Sequence, residues 1–458
     1  RRSGGGLSES RGYAPRRPSL FLIGGGWGAP ASHRRAEREG SIEQLVSNDA
    51  SVAVGPLAGK TVAVVHAAWH SCGSYQVNVS QLEAYRALGA RTISVALMDT
   101  PAPRPPRGPR WEAYFAASAD LPADKRYFCG PSRLAALSPS FLAHAWWRLI
   151  HGDQATWLVE LAKLVALPPG LADENVDLVH ANHYFTLPFV ARLLRGRNAP
   201  VMVETQDIQA RQYILRNQGG FFLPPYVTYD DMLSVELEWM RAADLCIHLN
   251  EEERAEFVRL LPQARHRLVY PAIAPVPCGP GGDRIIIVAS DNYGNFVSLR
   301  WFLREVAPLA PSVEVEIYGN IDSGVKRLDK SLYESHRALF KGRIDDIGAV
   351  YAQAACVLLP TIEGHGLSVK AVEAMASGAP LIATRRAFRG MAIDPERLGN
   401  VILADEAADF AAALREIGQR RDAGAREVSD TRRLYDDMFS PAAYARALHE
   451  TAAPLLVR

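Results

Sequence analysis

The sequence predicts an α/β protein of two doubly wound domains facing a cleft. Three observations predict it. A strand–helix–strand grammar begins at Gly59, a Pro- and Gly-rich break runs from Pro271 to Asp283, and the same grammar restarts at Arg284. Short apolar runs alternating with amphipathic segments imply parallel strands with helices on both faces. The 458 residues are 48% hydrophobic and 22% charged. That is an ordinary globular composition, in a chain long enough to split its core between domains.

Taken in order, residues 1–58 read as a flexible basic tail. Residues 1–40 are rich in Gly, Arg, Ser and Pro, and the apolar run Leu20 to Ile23 is too short for a signal peptide. Two readings of the tail stand: a solvated segment, or one attracted to acidic lipid. Residues 59–272 form the first domain. Thr61 to His66 is a buried strand. Gln76 to Leu88 follows with helical spacing (Val77, Leu82, Tyr85, Leu88) and stops at Gly89. Arg91 to Leu97 is the next strand. Further strands are expected at Val176 to His180, Pro200 to Glu204 and Leu245 to Leu249, with a helix at Phe185 to Leu194. Asn250 before Glu251, Glu252 and Glu253 reads as a helix N-cap with carboxylates in the first turn. Residues 101–172 are less regular. Their segment Phe141 to Ile150 (FLAHAWWRLI) fits either packing on its own domain or docking on a membrane surface.

Residues 273–283 form the linker, and residues 284–435 the second domain. Strands are expected at Arg284 to Ala289, Val313 to Tyr318, Cys356 to Leu359 and Pro380 to Thr384. Helices are expected at Val297 to Val306, Ile347 to Ala354, Gly366 to Ala376 and Ala407 to Ile417. In such sheets ligands bind outside the carboxyl ends of the strands, and with two domains the cleft between them is the default site.

Composition excludes several function classes. Lys plus Arg (51) balance Asp plus Glu (50), so nothing points to nucleic acid. Five scattered cysteines without a C-x-x-C pair fit reduced thiols in a cytoplasmic protein rather than a disulfide framework or zinc site. No apolar run approaches the ~20 residues that span a bilayer. The absence of G-x-G-x-x-G after a strand argues against a dinucleotide oxidoreductase.

The chemistry concentrates between Val357 and Thr384. There a strand leads into the loop Glu363-Gly364-His365-Gly366 and then a helix. Two glycines admit a ligand close to the backbone. The helix start offers free N–H groups and a positive dipole end to a diphosphate, and Lys370 adds a full charge. Glu373, three residues on and on the same face, suits the hydroxyls of a ribose. A solvated i,i+3 ion pair is the plain alternative for Lys370 and Glu373.

The run Glu373-Ala374-Met375-Ala376-Ser377-Gly378-Ala379-Pro380 resembles the donor-site signature of retaining GT-B glycosyltransferases of family 4. The resemblance implies two Rossmann-like domains and a nucleotide-diphosphate sugar as co-substrate, with no further cofactor and no metal. The lack of an Asp-x-Asp triplet fits that implication. Two departures stand out. Glu363 and Glu373 are ten residues apart where the family's acidic pair is eight apart, and His365 replaces an aromatic residue. A subset with Gly-x-Gly and a Lys three before the second Glu matches better. Lys370 and Glu363 are thus the candidate catalytic residues. The candidate donor ligands are Asn292, Gly294, Asn295, Gly319, Arg343, His365, Gly366, Leu367 and Glu373. Phe439 onward resembles the family's C-terminal helix, so residues 436–458 are expected to cross back to the first domain.

Acceptor residues are expected in the first domain. The loop Ala67 to Tyr75 supplies His70 and Gly73, and a structural role is the alternative for His70. His183 follows the strand ending near Ala181. Gln206 stands where the family has a His near the reacting sugar, so it hydrogen-bonds but is neither base nor cation. Asp207 either meets the acceptor or caps a helix. The implied activity is sugar transfer, with retention, to a glycan, lipid-linked or small-molecule acceptor. Peripheral contact with the inner face of a membrane is a further expectation. A nucleotide-sugar 2-epimerase and a catalytically silent glycan-binding protein of the same architecture are the alternatives.

Overall fold

A computed structural model of the chain describes residues 55–70, 72–101, 109–119, 121–218, 220–419 and 429–457. The expected basic tail, up to residue 54, lies outside the described residues.

The first sheet has seven parallel strands: β1 (Thr61–Ala67), β2 (Arg91–Leu97), β3 (Lys125–Cys129), β4 (Leu178–Asn182), β5 (Val201–Glu204), β6 (Leu245–His248) and β7 (His266–Leu268). Their order is β3-β2-β1-β4-β5-β6-β7. The second sheet has six: β8 (Arg284–Val288), β9 (Glu316–Tyr318), β10 (Phe340–Gly342), β11 (Ala354–Leu359), β12 (Leu381–Ala383) and β13 (Val401–Leu403). Their order is β10-β9-β8-β11-β12-β13. In each sheet the order reverses beside the first strand, between β1 and β4 and between β8 and β11. Crevices open at such switch points.

Side-chain alternation explains why these strands are central. All seven residues of β1 are buried. Ala63, Val65 and Ala67 enter the core on one face, Val62 and Val64 the core on the other. β8 divides likewise, with Ile286 and Val288 on one side and Ile285 and Ile287 on the other. Strands covered on both faces read as continuous apolar runs. The helix Gly73–Ala87 ends as expected, with Gly89 at φ +79°. Asn250 caps the helix Glu251–Leu260 by accepting from the Glu253 N–H at 2.9 Å.

The structure adds β3, β7, β10 and β13, which the sequence pattern does not announce. These are the edges of the two sheets. The helix expected from Gly366 starts only at Val369, because Gly366 has φ +65° and cannot continue a right-handed helix. Phe141 to Ile150 is helical, with a wider turn over Leu142–Trp146. Phe141 and Ala145 pack with Trp157, whereas Leu142, Trp146 and Trp147 stay exposed.

Residues 273–283 hold no strand or helix. They lie tightly on the second domain: a Cβ added at Gly279 or Gly282 would meet the Ala352 or Gln353 carbonyl at 2.4 or 2.3 Å. Tyr435 and Phe439 belong to the second domain's core. The helix Pro441–Leu456 then packs on the first, where Tyr444, Leu448, Ala452 and Leu455 meet Tyr85 and Leu88.

Candidate active site

The donor-side loop follows β11. Gly364 (φ +138°) and Gly366 (φ +65°) both adopt backbone that L side chains avoid, so this path requires glycine at these two positions. Glu363 turns back on its own loop and accepts from the Gly364 N–H at 3.1 Å. His365 is exposed, and Leu367 packs toward the second domain's core. Ser368 is the N-cap of the helix Val369–Ala376 without a side-chain cap bond. The first-turn N–H groups therefore have no capping side chain of their own. Lys370 sits in that first turn rather than a turn further in. Its Nζ donates to Glu373 Oε2 at 2.6 Å, and the buried Tyr351 hydroxyl donates to the same oxygen at 3.5 Å. The ion pair is thus present, and it stands at a helix start beside two strained glycines.

The loop after β8 lies against this one. Asn292 caps the helix Tyr293–Trp301 by accepting from the Asn295 N–H at 2.8 Å, and Asn295 Nδ2 donates to the Ser290 carbonyl at 2.9 Å. Both amides thus brace the loop. A Cβ on Gly294 would approach the Glu363 carbonyl to 3.4 Å, so a small residue lets the two loops meet. Ser298, absent from the sequence reading, ties them: its Oγ donates to the Gly294 carbonyl and accepts from the Ile362 N–H at 3.2 Å. Gly319, at φ +108°, abuts the Ala289 carbonyl. Arg343 is exposed just past β10.

Two cations at this loop were not anticipated. Arg386 Nη2 donates to the Gly364 carbonyl at 2.9 Å. The Arg389 guanidinium lies on Gly364, where an added Cβ would come within 2.8 Å of Nη2. Arg389 Nε is buried with no protein partner. Burial, then the Arg386 charge, depresses its pKa, opposed by Glu252 and Glu363. The signal was available: Arg385-Arg386-Ala387-Phe388-Arg389 follows the carboxyl end of β12, where ligands gather in such sheets.

On the first domain, the ends of β4 and β5 carry the only non-glycine residues with positive φ among the described residues, His183 (+66°) and Gln206 (+64°). Strain of this kind, about 1–3 kcal/mol per residue, clusters at functional sites. His183 is buried and stacks on Phe185 at 5.0 Å, with Trp69 at 5.2 Å. Neither ring nitrogen has a protein partner. Burial, followed by the charge of Arg216, lowers its pKa to about 3, so the imidazole is neutral. Gln206 turns inward and donates to Glu204 Oε1 (2.9 Å) and Asn182 Oδ1 (3.0 Å). Asn182 in turn exchanges two hydrogen bonds with Gln81. Gln206 therefore holds the strand ends together through a buried network. Trp69 joins the first loop to His183, while His70 is exposed and its ring meets that of Tyr75 at a tilt, 4.5 Å between centroids. Gly73 opens the helix Gly73–Ala87, with space around it.

Asp207 is not a helix cap. The helix Gln209–Asn217 has Ile208 at its N-cap, and the buried Glu236 accepts from the Gln209 and Ala210 N–H groups at 3.2 and 3.1 Å. Burial raises both Asp207 and Glu253, and the charge of Asp207 raises Glu253 further. Burial lifts Glu236 from the ordinary 4.5 to about 8, against the two backbone hydrogen bonds. A carboxyl held up in the folded state supports folding fully below its unfolded pKa and loses that support as pH rises through the folded value. Glu236→Gln does not titrate. Its unfolding midpoint relative to the parent is expected to climb steadily between pH 5 and 8 in parallel thermal melts. A difference independent of pH would contradict the buried, raised carboxyl.

The two halves meet over these groups. A Cβ on Gly366 would lie 3.9 Å from Asp207 Oδ1. The Gly390 carbonyl accepts from the Glu251 N–H at 2.9 Å, and the Gly390 N–H donates to Glu252 at 3.3 Å. The Tyr270 hydroxyl accepts from the Ala392 N–H at 2.6 Å. Asp207 and the Gly366 loop thus face each other across the cleft.

Solved structures share this fold. HepE of Anabaena in complex with UDP superimposes with a TM-score of 0.54 at 15% identity, over 86% of this chain and 100% of that one. A glycosyltransferase from Rickettsia africae gives 0.53 at 13%, over 87% and 99%. Sucrose-phosphate synthase from Thermosynechococcus elongatus gives 0.51 at 16%, over 87% and 99%. The chain has the GT-B fold. Residues 282–420 match the family model Glycosyl transferases group 1, so the second half carries that family's domain. No curated protein sequence matches the chain.

Proposed function

We propose that the chain transfers a sugar, with retention, from a nucleoside-diphosphate sugar to a hydroxyl acceptor held on the first domain. The observation that carries this reading is the convergence at the carboxyl ends of β11 and β12. There the Gly364–Gly366 loop, an uncapped helix start, Lys370, Arg386 and Arg389 gather on one side, with Asp207 opposite. Breaking the bond between the anomeric carbon and the diphosphate puts negative charge on the leaving phosphate. Fixed cations and N–H dipoles aimed at that charge are effective because they need no reorganisation. Lys370 meets the phosphate, and Glu373 exchanges its Lys370 contact for the ribose hydroxyls. Glu363 and His365 lie toward the sugar. Asp207 and His183 orient the acceptor, which is a glycan, a lipid-linked sugar or a small molecule.

The direct test is nucleotide release from a panel of nucleoside-diphosphate sugars with mixed acceptors, starting with the UDP-sugars because HepE was solved with UDP. Glu373→Ala is expected to weaken UDP binding about tenfold or more by calorimetry, the scale of one hydrogen bond to a charged group. Unchanged affinity in that variant would remove Glu373 from the donor site.

A further inference from the structure

The first domain exposes a large apolar face away from the sheet. Leu134 (82% exposed), Leu137 and Trp147 (60%) come from residues 132–151, and Phe221 (82%), Leu223 and Tyr226 (67%) from residues 211–227. The two segments form one surface. Leu223 N–H donates to the Ile150 carbonyl at 2.9 Å, Val227 N–H to His151 at 3.1 Å, and Asn217 Nδ2 to Gly152 at 2.8 Å. A recess of about 360 Å³ opens within the second segment, lined by Ile214, Phe221, Phe222, Tyr226 and Val227 and bordered by His151 of the first. Monomeric surfaces rarely leave so much aromatic and aliphatic area together unless something covers it.

The charges of the same segments say what covers it. Residues 132–151 and 211–227 contain Arg133, Arg148, Arg211 and Arg216 and no Asp or Glu. Arg211 is paired with Glu256 and Arg148 with Asp153 at 3.4 Å, whereas Arg133 and Arg216 are exposed. Asp153, buried at its own helix start, offsets Arg148 alone, and Asp231 is held in a capping box with Thr228, which leaves Arg133 and Arg216 to rim the face. Tryptophan, tyrosine and phenylalanine rimmed by arginine match the headgroup level of an anionic bilayer. No described helix is long and apolar enough to cross a membrane.

We infer that the face built from residues 132–151 and 211–227 docks on an anionic lipid bilayer. The helix Gln209–Asn217 starts two residues after Asp207 and ends at this face. Its nine residues span about 14 Å, so the docked bilayer lies one short helix from the acceptor side of the cleft. If the proposed sugar transfer holds, this geometry selects the lipid-linked acceptor. That step rests on the proposed function; the docking itself does not.

The experiment is sedimentation of the full chain with vesicles of mixed phosphatidylcholine and phosphatidylglycerol, and with pure phosphatidylcholine. Binding is expected on the mixed vesicles and much less on the neutral ones. The double substitution Trp147→Ser and Phe221→Ser, at two largely exposed positions, is expected to lower the partition coefficient about tenfold or more, with the circular dichroism spectrum and UDP binding unchanged. Lipids brominated on the acyl chain should quench the parent's tryptophan emission, and Trp147→Phe should lose part of that quenching. Three results would each overturn the proposal. The parent does not bind the mixed vesicles; the double variant binds as well as the parent, which assigns attraction to the basic residues before Gly55; or the face instead drives a dimer that the double variant dissolves. Failure of sugar transfer with retained vesicle binding would fall on the function alone.

Discussion

Lys370→Ala is expected to lower kcat about 100-fold or more, the scale of losing one charge-stabilising group, while the protein stays folded. The two effects separate because of where the side chain stands. Its partly exposed bond to Glu373 contributes at most about 1 kcal/mol, and the Tyr351 hydroxyl remains near Glu373 after the substitution. The unfolding midpoint should therefore move by only a few degrees. Steady-state turnover of the best donor found in the screen checks the first part, and a thermal melt the second. Full activity would move the phosphate charge from Lys370 to Arg386 and Arg389, and the proposed role of Lys370 would be abandoned.

Gly319→Ala is expected to cost about 3 kcal/mol or more of stability. An alanine Cβ at this position would sit 2.0 Å from the Ala289 carbonyl oxygen, on a backbone already at φ +108°. Neither atom has room to withdraw. Ala289 N–H donates to the Tyr318 carbonyl, and Gly319 N–H to the Gly342 carbonyl at 2.9 Å, so both are pinned by neighbouring strands. The comparison that isolates the clash is Gly342→Ala. Gly342 also has positive φ (+72°), yet an added Cβ meets nothing within 4 Å. It should cost about 1 kcal/mol, the backbone strain alone. Thermal melts should show a drop on the order of 10 °C for Gly319→Ala and a few degrees for Gly342→Ala. Equal drops would mean that the close approach to Ala289 is not what fixes the glycine.

These contrasts also mark where the sequence was legible. The central strands were readable because both of their faces are covered, so β1, β2 and β8 are written mainly in apolar residues with few polar interruptions. The edges were not. β3 begins Lys125-Arg126, β7 reads His266-Arg267-Leu268 and β10 reads Phe340-Lys341-Gly342. Charged, short edge strands protect a sheet against pairing with another chain, and the same property hides them from a hydrophobic pattern. In the site, Lys370 and Glu373 were legible because both sit on one helix and spacing places them on one face. Arg389 comes from a different strand end, and only the folded crevice lays it on Gly364. Glu236 was invisible for a similar reason. It lies 27 positions beyond Gln209 in sequence, yet it serves the start of the helix Gln209–Asn217.

The chain passes between its halves twice, once near Ile273 and once between Phe439 and the helix Pro441–Leu456. The two passages are stitched side by side: Ile273 N–H donates to the Phe439 carbonyl and the Tyr435 hydroxyl to the Ile273 carbonyl, each at 2.9 Å. A single tether would let one half spin about the other. Two bonded tethers resist torsion and leave bending as the soft coordinate, as with a door hung on a pair of adjacent pins. Bending that parts Asp207 from Gly366 must also break the Glu251–Gly390 and Ala392–Tyr270 hydrogen bonds, so the two pins and these contacts together set the registration of the cleft.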